Sequence, residues 1–143
     1  MMRTWKTAAF GLLMASFTGC SSSGFLEESP PKAYLEANNH LYETKVGTYC
    51  WKSTCVDTAG PSELLKTEKP IEVKANESLS LVIKHERQPN ERHMVQIQNK
   101  NEVDVSLKKN KMKAPSKAGT YYYSYSVWWM DESQKNVANL YWK

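Results

Sequence analysis

The amino-acid sequence predicts an all-β fold: an immunoglobulin-like antiparallel β-sandwich of about seven strands, preceded by a lipoprotein signal and a flexible tether. Three observations carry that expectation. From Val46 onward the apolar residues recur with a period of two, turn residues punctuate these runs at short intervals, and no long helical pattern lies between them.

The opening residues, MMRTWKTAAFGLLMASFTGC, read as a targeting segment. Arg3 and Lys6 supply a short positive region with no acid before Glu27. The apolar run Thr7 to Phe17 has the length of a secretory core and is too short to span a bilayer. Thr18 and Gly19, both small, lead into Cys20, the pattern of a bacterial lipoprotein signal; Phe17 stands where a branched aliphatic is commoner. The expectation is a signal peptide over 1–19, a diacylglyceryl group on the Cys20 sulfur, and a mature chain held at the extracytoplasmic face of a membrane. Two or three acyl chains hold such an anchor stably, at about 0.8 kcal/mol per buried CH₂.

Cysteine parity agrees. The chain has three cysteines, and an odd count in an exported protein demands an explanation. Acylation of Cys20 leaves Cys50 and Cys55 for an oxidising compartment. Removing the first 19 residues also removes two of the 19 basic residues, so the mature chain carries 17 against 15 acids. A net charge of +2 gives no general attraction to nucleic acid.

Ser21 to Lys32, SSSGFLEESPPK, is small, polar and interrupted by proline, as a spacer should be. Ala33 to Thr44 has Asn38 and Asn39 in mid-run and no clean apolar stripe, which predicts irregular chain with one helical turn. The tether is therefore placed at 20–44 and the sandwich at 45–143. Within the sandwich, alternation marks strands at Ile71–Ala75, Leu79–Ile83, Val95–Gln98, Val103–Leu107 and Val137–Trp142. The strongest strand is TYYYSYSVWWM, Thr120 to Met130. It puts Tyr121, Tyr123, Tyr125, Val127 and Trp129 on a core face, and Tyr122, Ser124, Ser126, Trp128 and Met130 on the other. A tyrosine corner is a natural use for Tyr121 or Tyr123.

Four groups of residues are candidates for chemistry. Cys50 and Cys55 in CWKSTC suit a structural disulfide, with a metal or redox pair as alternatives; such a bridge would present Trp51 and Lys52 at its surface. Trp128 and Tyr122 would be aromatic contacts for a sugar or a protein if their face is open. Lys108, Lys109, Lys111, Lys113 and Lys117 form an acid-free run suited to an anionic wall polymer or membrane surface. His93, Met94, Met112 and Met130 are soft donors from which a copper-handling alternative starts. His40, His85 and His93, with Asp57 and Glu63, match no catalytic spacing, and no phosphate loop or nucleophile elbow is present.

The segments TYCWKSTCVDTAGPSELLKTEKPIEVK and KNKMKAPSKAGTYYYSYSVWW resemble a group of small surface lipoproteins from Bacillus-type bacteria. The resemblance rests on Cys50, Trp51, Cys55, Val56, Asp57, Gly60, Pro61, Glu63, Leu64, Gly119, Tyr121, Tyr123 and Trp129. It implies an extracytoplasmic β domain in a Gram-positive cell and transfers no catalytic residue. The sequence thus points to a non-catalytic, membrane-tethered binding domain without a cofactor, whose partner is an envelope protein or an anionic wall polymer.

Intact mass of the native protein before and after reduction tests the covalent part of this reading. Cleavage before Cys20, added acyl mass and a gain of about 2 Da on reduction are expected. An unmodified Cys20 within an uncleaved chain would contradict it.

Overall fold

A computed structural model describes residues 29–131 and 135–143; the signal peptide and Cys20 lie outside them. The described residues form ten strands and one short helix: β1 (Ala33–Ala37), β2 (His40–Glu43), β3 (Lys45–Trp51), β4 (Thr54–Val56), α1 (Pro61–Leu64), β5 (Ser78–Ile83), β6 (Glu91–Gln98), β7 (Asn101–Asp104), β8 (Lys111–Lys113), β9 (Tyr122–Met130) and β10 (Lys135–Trp142). They pair into two antiparallel sheets, ordered β2-β1-β5-β8 and β4-β3-β10-β9-β6-β7. The fold is an all-β sandwich.

Seven strands follow the immunoglobulin-like sheet order. β1-β5-β8 occupy the places of A-B-E, and β10-β9-β6-β7 those of G-F-C with an added C′. The other three, β2, β3 and β4, are inserted between the first and second of these. The tyrosine corner is formed by Tyr121 at the entry to β9, whose hydroxyl donates to the Lys117 carbonyl at 3.0 Å. Tyr123 instead donates to Gln96 Oε1 at 2.9 Å across the sheet.

The core follows from the phase of β9. Its burial alternates strictly from Tyr122 to Met130, with Tyr123, Tyr125, Val127 and Trp129 buried. Across it stand Ala138, Leu140 and Trp142 from β10 and Met94 from β6; Leu35, Leu79, Leu81 and Met112 come from the facing sheet. Burying side chains of this size contributes about 1.5–3 kcal/mol each. Tyr123 and Trp142 stack with ring centroids 5.3 Å apart.

The segment Ala33–Thr44, expected to be irregular chain at the end of the tether, is instead a β-hairpin built into the sandwich. Asn38 and Asn39 have φ of 52° and 61°, the left-handed pair of a two-residue hairpin turn. Ala33, Leu35 and Ala37 point inward from β1 and are buried. The hairpin ends at a corner where Thr44 alone separates β2 in one sheet from β3 in the other. Thr44 is buried, and its amide and hydroxyl both donate to the Ala33 carbonyl at 3.0 Å.

Three further expectations shift. Ile71–Ala75 is not a strand: the segment runs unpaired, its Ile71 amide donating to the Lys143 carbonyl at 2.8 Å. Ile71 and Val73 are half-buried against the core, so an extended strap alternates without sheet pairing. In β6 the buried residue is Met94, and Val95 and Ile97 take the outer face, because Gln96 is drawn inward to accept from Tyr123. Val103 lies on the exposed edge strand β7 at 57% exposure, whereas Val105 and Leu107 pack on the core beyond its end. One glycine is required sterically: a Cβ on Gly47 would fall 2.2 Å from the Tyr141 ring.

Burial pushes the phenols of Tyr123, Tyr125 and Tyr141 above their ordinary value. For Tyr125 the Arg92 guanidinium partly offsets this, and for Tyr141 hydrogen bonding to Thr48 does so. A folded pKa above the unfolded one means stability is intact below about pH 10 and falls as pH rises beyond it. Spectrophotometric titration should therefore show these three phenols ionising together with loss of near-ultraviolet circular dichroism. Phenolate appearing at these positions with tertiary structure intact would contradict the packing.

Candidate functional site

The six-stranded sheet has an inner face in the core and an outer face divided into a covered end and an open end. At the covered end, Gly60 and Pro61 start α1, where the proline's fixed φ and missing N–H suit the first helical position. α1 packs against β9, with Pro61 and Leu65 buried. Lys143 Nζ donates to the Leu65 carbonyl at 3.1 Å and lies 5.5 Å from the centre of the Tyr122 ring. Tyr122 is thereby half-buried beside the C-terminal residue.

At the open end, the strand registers line up one lateral row across five strands: Glu91, Trp128, Val137, Cys50 and Cys55. The Cys50–Cys55 disulfide is formed, joining directly opposed residues of β3 and β4 with Cα atoms 4.1 Å apart. Trp128, Val137 and Cys50 are half-exposed and Cys55 is exposed. The row is apolar from Trp128 to the bridge and acidic at its β6 end.

A polar row lies beside it. Ser126 Oγ donates to Asn139 Oδ1 at 2.5 Å, and Asn139 Nδ2 donates to the Thr48 carbonyl at 2.8 Å. Thr48 Oγ1 in turn donates to Asp57 Oδ1 at 2.9 Å. His93, cross-strand from Ser126, contacts Asp104 Oδ1 through Nε2 at 2.9 Å. An acid, an imidazole and a hydroxyl are neighbours here, but the Ser126 proton is directed to Asn139 and not to His93. The pair is also open to water, with side chains 54% and 84% exposed.

Trp51 is not at the surface. The alternation of β3 turns it inward while Cys50 faces out, and it is 4% exposed. Its ring meets Trp129 edge-on at 5.0 Å and His85 at 5.9 Å. Trp129 Nε1 donates to the Arg87 carbonyl at 2.8 Å, and His85 Nδ1 lies 2.8 Å from the same oxygen. Trp51 is a core anchor of the disulfide hairpin, with Lys52 at the turn in a left-handed conformation.

The copper donors do not converge. The pleat of β6 sends His93 and Met94 to opposite faces; Met94 and Met112 are buried in the core, and Met130 ends the outer face of β9. No group of three or more His, Cys, Asp or Glu side chains among the described residues is placed to hold a metal ion.

Lys108, Lys109, Lys111 and Lys113 sit on the other sheet, away from the aromatic row. Lys108 and Lys111 exchange backbone hydrogen bonds at 3.0 Å around Lys109 and Asn110, whose φ of 50° and 61° make a tight hairpin turn. Lys111 and Lys113 flank buried Met112 on the edge strand β8. Lysines on an edge strand oppose pairing with another chain. Sequence reasoning missed Val137, which its row partners Trp128 and Cys50 make part of the outer face, and it missed Arg92. No protein-family model, curated protein or solved structure matches the chain.

Proposed function

We propose that the protein is a membrane-anchored extracytoplasmic lipoprotein whose β-sandwich is a non-catalytic binding module acting at the cell envelope. Cys20, in its run of apolar and small residues, is the basis for the anchor. The observation that carries the binding role is the open row of Trp128, Val137 and the Cys50–Cys55 bridge on the outer face of the six-stranded sheet. Aromatic residues on a rigid, partly apolar surface are the usual energetic centre of a protein contact. The polar row of Ser126, Asn139 and Thr48 beside it is internally hydrogen-bonded and preorganised.

The chain enters the sandwich at Ala33, so a lipid on Cys20 keeps the domain within a short tether of the membrane. The partner belongs to that layer and is an envelope protein meeting the Trp128 face. The resemblance to small lipoproteins of Bacillus-type bacteria supports the placement and names no partner.

A photo-crosslinking residue in place of Val137, in the full chain in intact cells, tests the contact. A discrete covalent adduct is expected, lost with Trp128→Ala and absent when the crosslinker replaces Glu72. No adduct at Val137, or the same products from both positions, would contradict the assignment.

A further inference from the structure

Between the first half of β6 in one sheet and the β8 hairpin of the other lies a groove of about 410 Å³. Its floor includes Met94 and Leu107, and its walls carry Arg92, Ser106, Lys109 and Asn110. Arg92 comes from the inward phase of β6, opposite Val127, and its charge offsets part of the rise that burial imposes on the Tyr125 phenol. Its Nε is buried without a hydrogen-bond partner.

Arg92 and Lys109 bring two cations to this groove. Three cations elsewhere are paired: Lys32 with Glu43 at 2.9 Å, Lys45 with Glu68 at 3.7 Å, Arg87 with Asp131 at 2.6 Å. None of the ion pairs among the described residues includes Arg92 or any lysine from Lys108 to Lys117. Asp104, an acid of the adjoining edge, is engaged by His93 at 2.9 Å. A half-buried guanidinium without a carboxylate is an incomplete arrangement, since its planar fork matches phosphate and carboxylate oxygens.

We propose that this groove binds a phosphodiester polymer, with Arg92 and Lys109 holding phosphate oxygens and Met94 and Leu107 supporting the carbon units between phosphates. A concave site that alternates cations with apolar floor suits a chain of alternating phosphate and polyol units better than a flat bilayer. The groove is also close to the point where the chain enters. The Leu81 amide donates to the Asn110 carbonyl at 2.8 Å, and Ile83, two residues or about 7 Å along β5, pairs with Ala33. Anchored through Cys20, the groove would face polyanions that lie near the membrane. This site is separate from the Trp128 face, and either can fail without the other.

The test uses the full chain in neutral detergent micelles, titrated with poly(glycerol phosphate) or with uncharged dextran at two salt concentrations. Binding of the polyphosphodiester alone, weakened by salt, is expected. Arg92→Gln should weaken it about tenfold, the scale of one lost charge-assisted hydrogen bond. Lys109→Asn, which keeps a residue at ease in the left-handed turn, should weaken it several-fold with unchanged melting temperature. Lys66→Gln, an exposed lysine beyond α1, should have no effect. Equal binding by all variants, or equal binding of dextran, overturns the proposal. So does Arg92-dependent binding to phosphatidylglycerol nanodiscs with none to the polymer, which would assign the groove to a lipid surface.

Discussion

Strand β9 lies between β10 and β6 near the middle of the six-stranded sheet, and its inward residues from Tyr123 to Trp129 are buried without interruption. Pairing on both sides fixes its backbone, and the period of two then leaves no choice about its faces. Every neighbouring strand takes its phase from it. Ala138, Leu140 and Trp142 must be inward because they oppose Val127, Tyr125 and Tyr123; Met94 must be inward because it opposes Tyr125. A slip of one residue would turn Tyr123, Tyr125, Val127 and Trp129 out to water and leave Leu140 and Trp142 without their partners. The same constraint creates the outer face, since Trp128 is half-exposed because Trp129 is buried.

The inserted strands are attached to this framework at two points. At one, Thr44 turns the chain from sheet to sheet and satisfies its own buried polar groups on Ala33. At the other, Trp51 packs edge-on against Trp129 and His85, so the β3–β4 hairpin is fixed by its core residue and by the disulfide on the opposite face. Closing so small a loop contributes about 2 kcal/mol on a chain-entropy account. The bridge and the tryptophan act on opposite faces of one hairpin, which leaves Cys50 and Cys55 free to extend the surface that Trp128 and Val137 begin.

Much of this is legible in the sequence. The all-β class, the split of β9, the strands at Leu79–Ile83 and near the C terminus, the disulfide and a tyrosine corner at Tyr121 or Tyr123 follow from local pattern; the Tyr121 bond to the Lys117 carbonyl decides between the two. What failed did so for identifiable reasons. Asn38-Asn39 interrupts a helical pattern, but two adjacent residues that tolerate positive φ are also a hairpin turn signal. Ile71 and Val73 alternate because a strap half-buries them, and alternation reports burial on one side, not pairing. The bridge suggests that Trp51 beside it is at the surface; only the phase of β3, set by pairing with β10, decides which of two neighbours faces out. Arg92 had no local signal at all. Its role depends on the approach of the β8 hairpin from the other sheet, which no single stretch of sequence encodes.

The molecule that results has a chemically simple design: a rigid sandwich, an outer face part apolar and part polar, and a cationic groove between the sheets. In the arrangement of Asp104, His93 and Ser126, the Ser126 hydroxyl donates to Asn139 and not to the imidazole. All of it depends on the face assignment of β9. Oxidative footprinting of the native protein with peptide mass spectrometry measures that assignment directly. Trp128 and Met130 should be modified, while Trp51, Trp129, Trp142, Met94 and Met112 stay protected until the protein unfolds. Modification of Trp129 as fast as, or faster than, Trp128 in the folded protein would contradict the account.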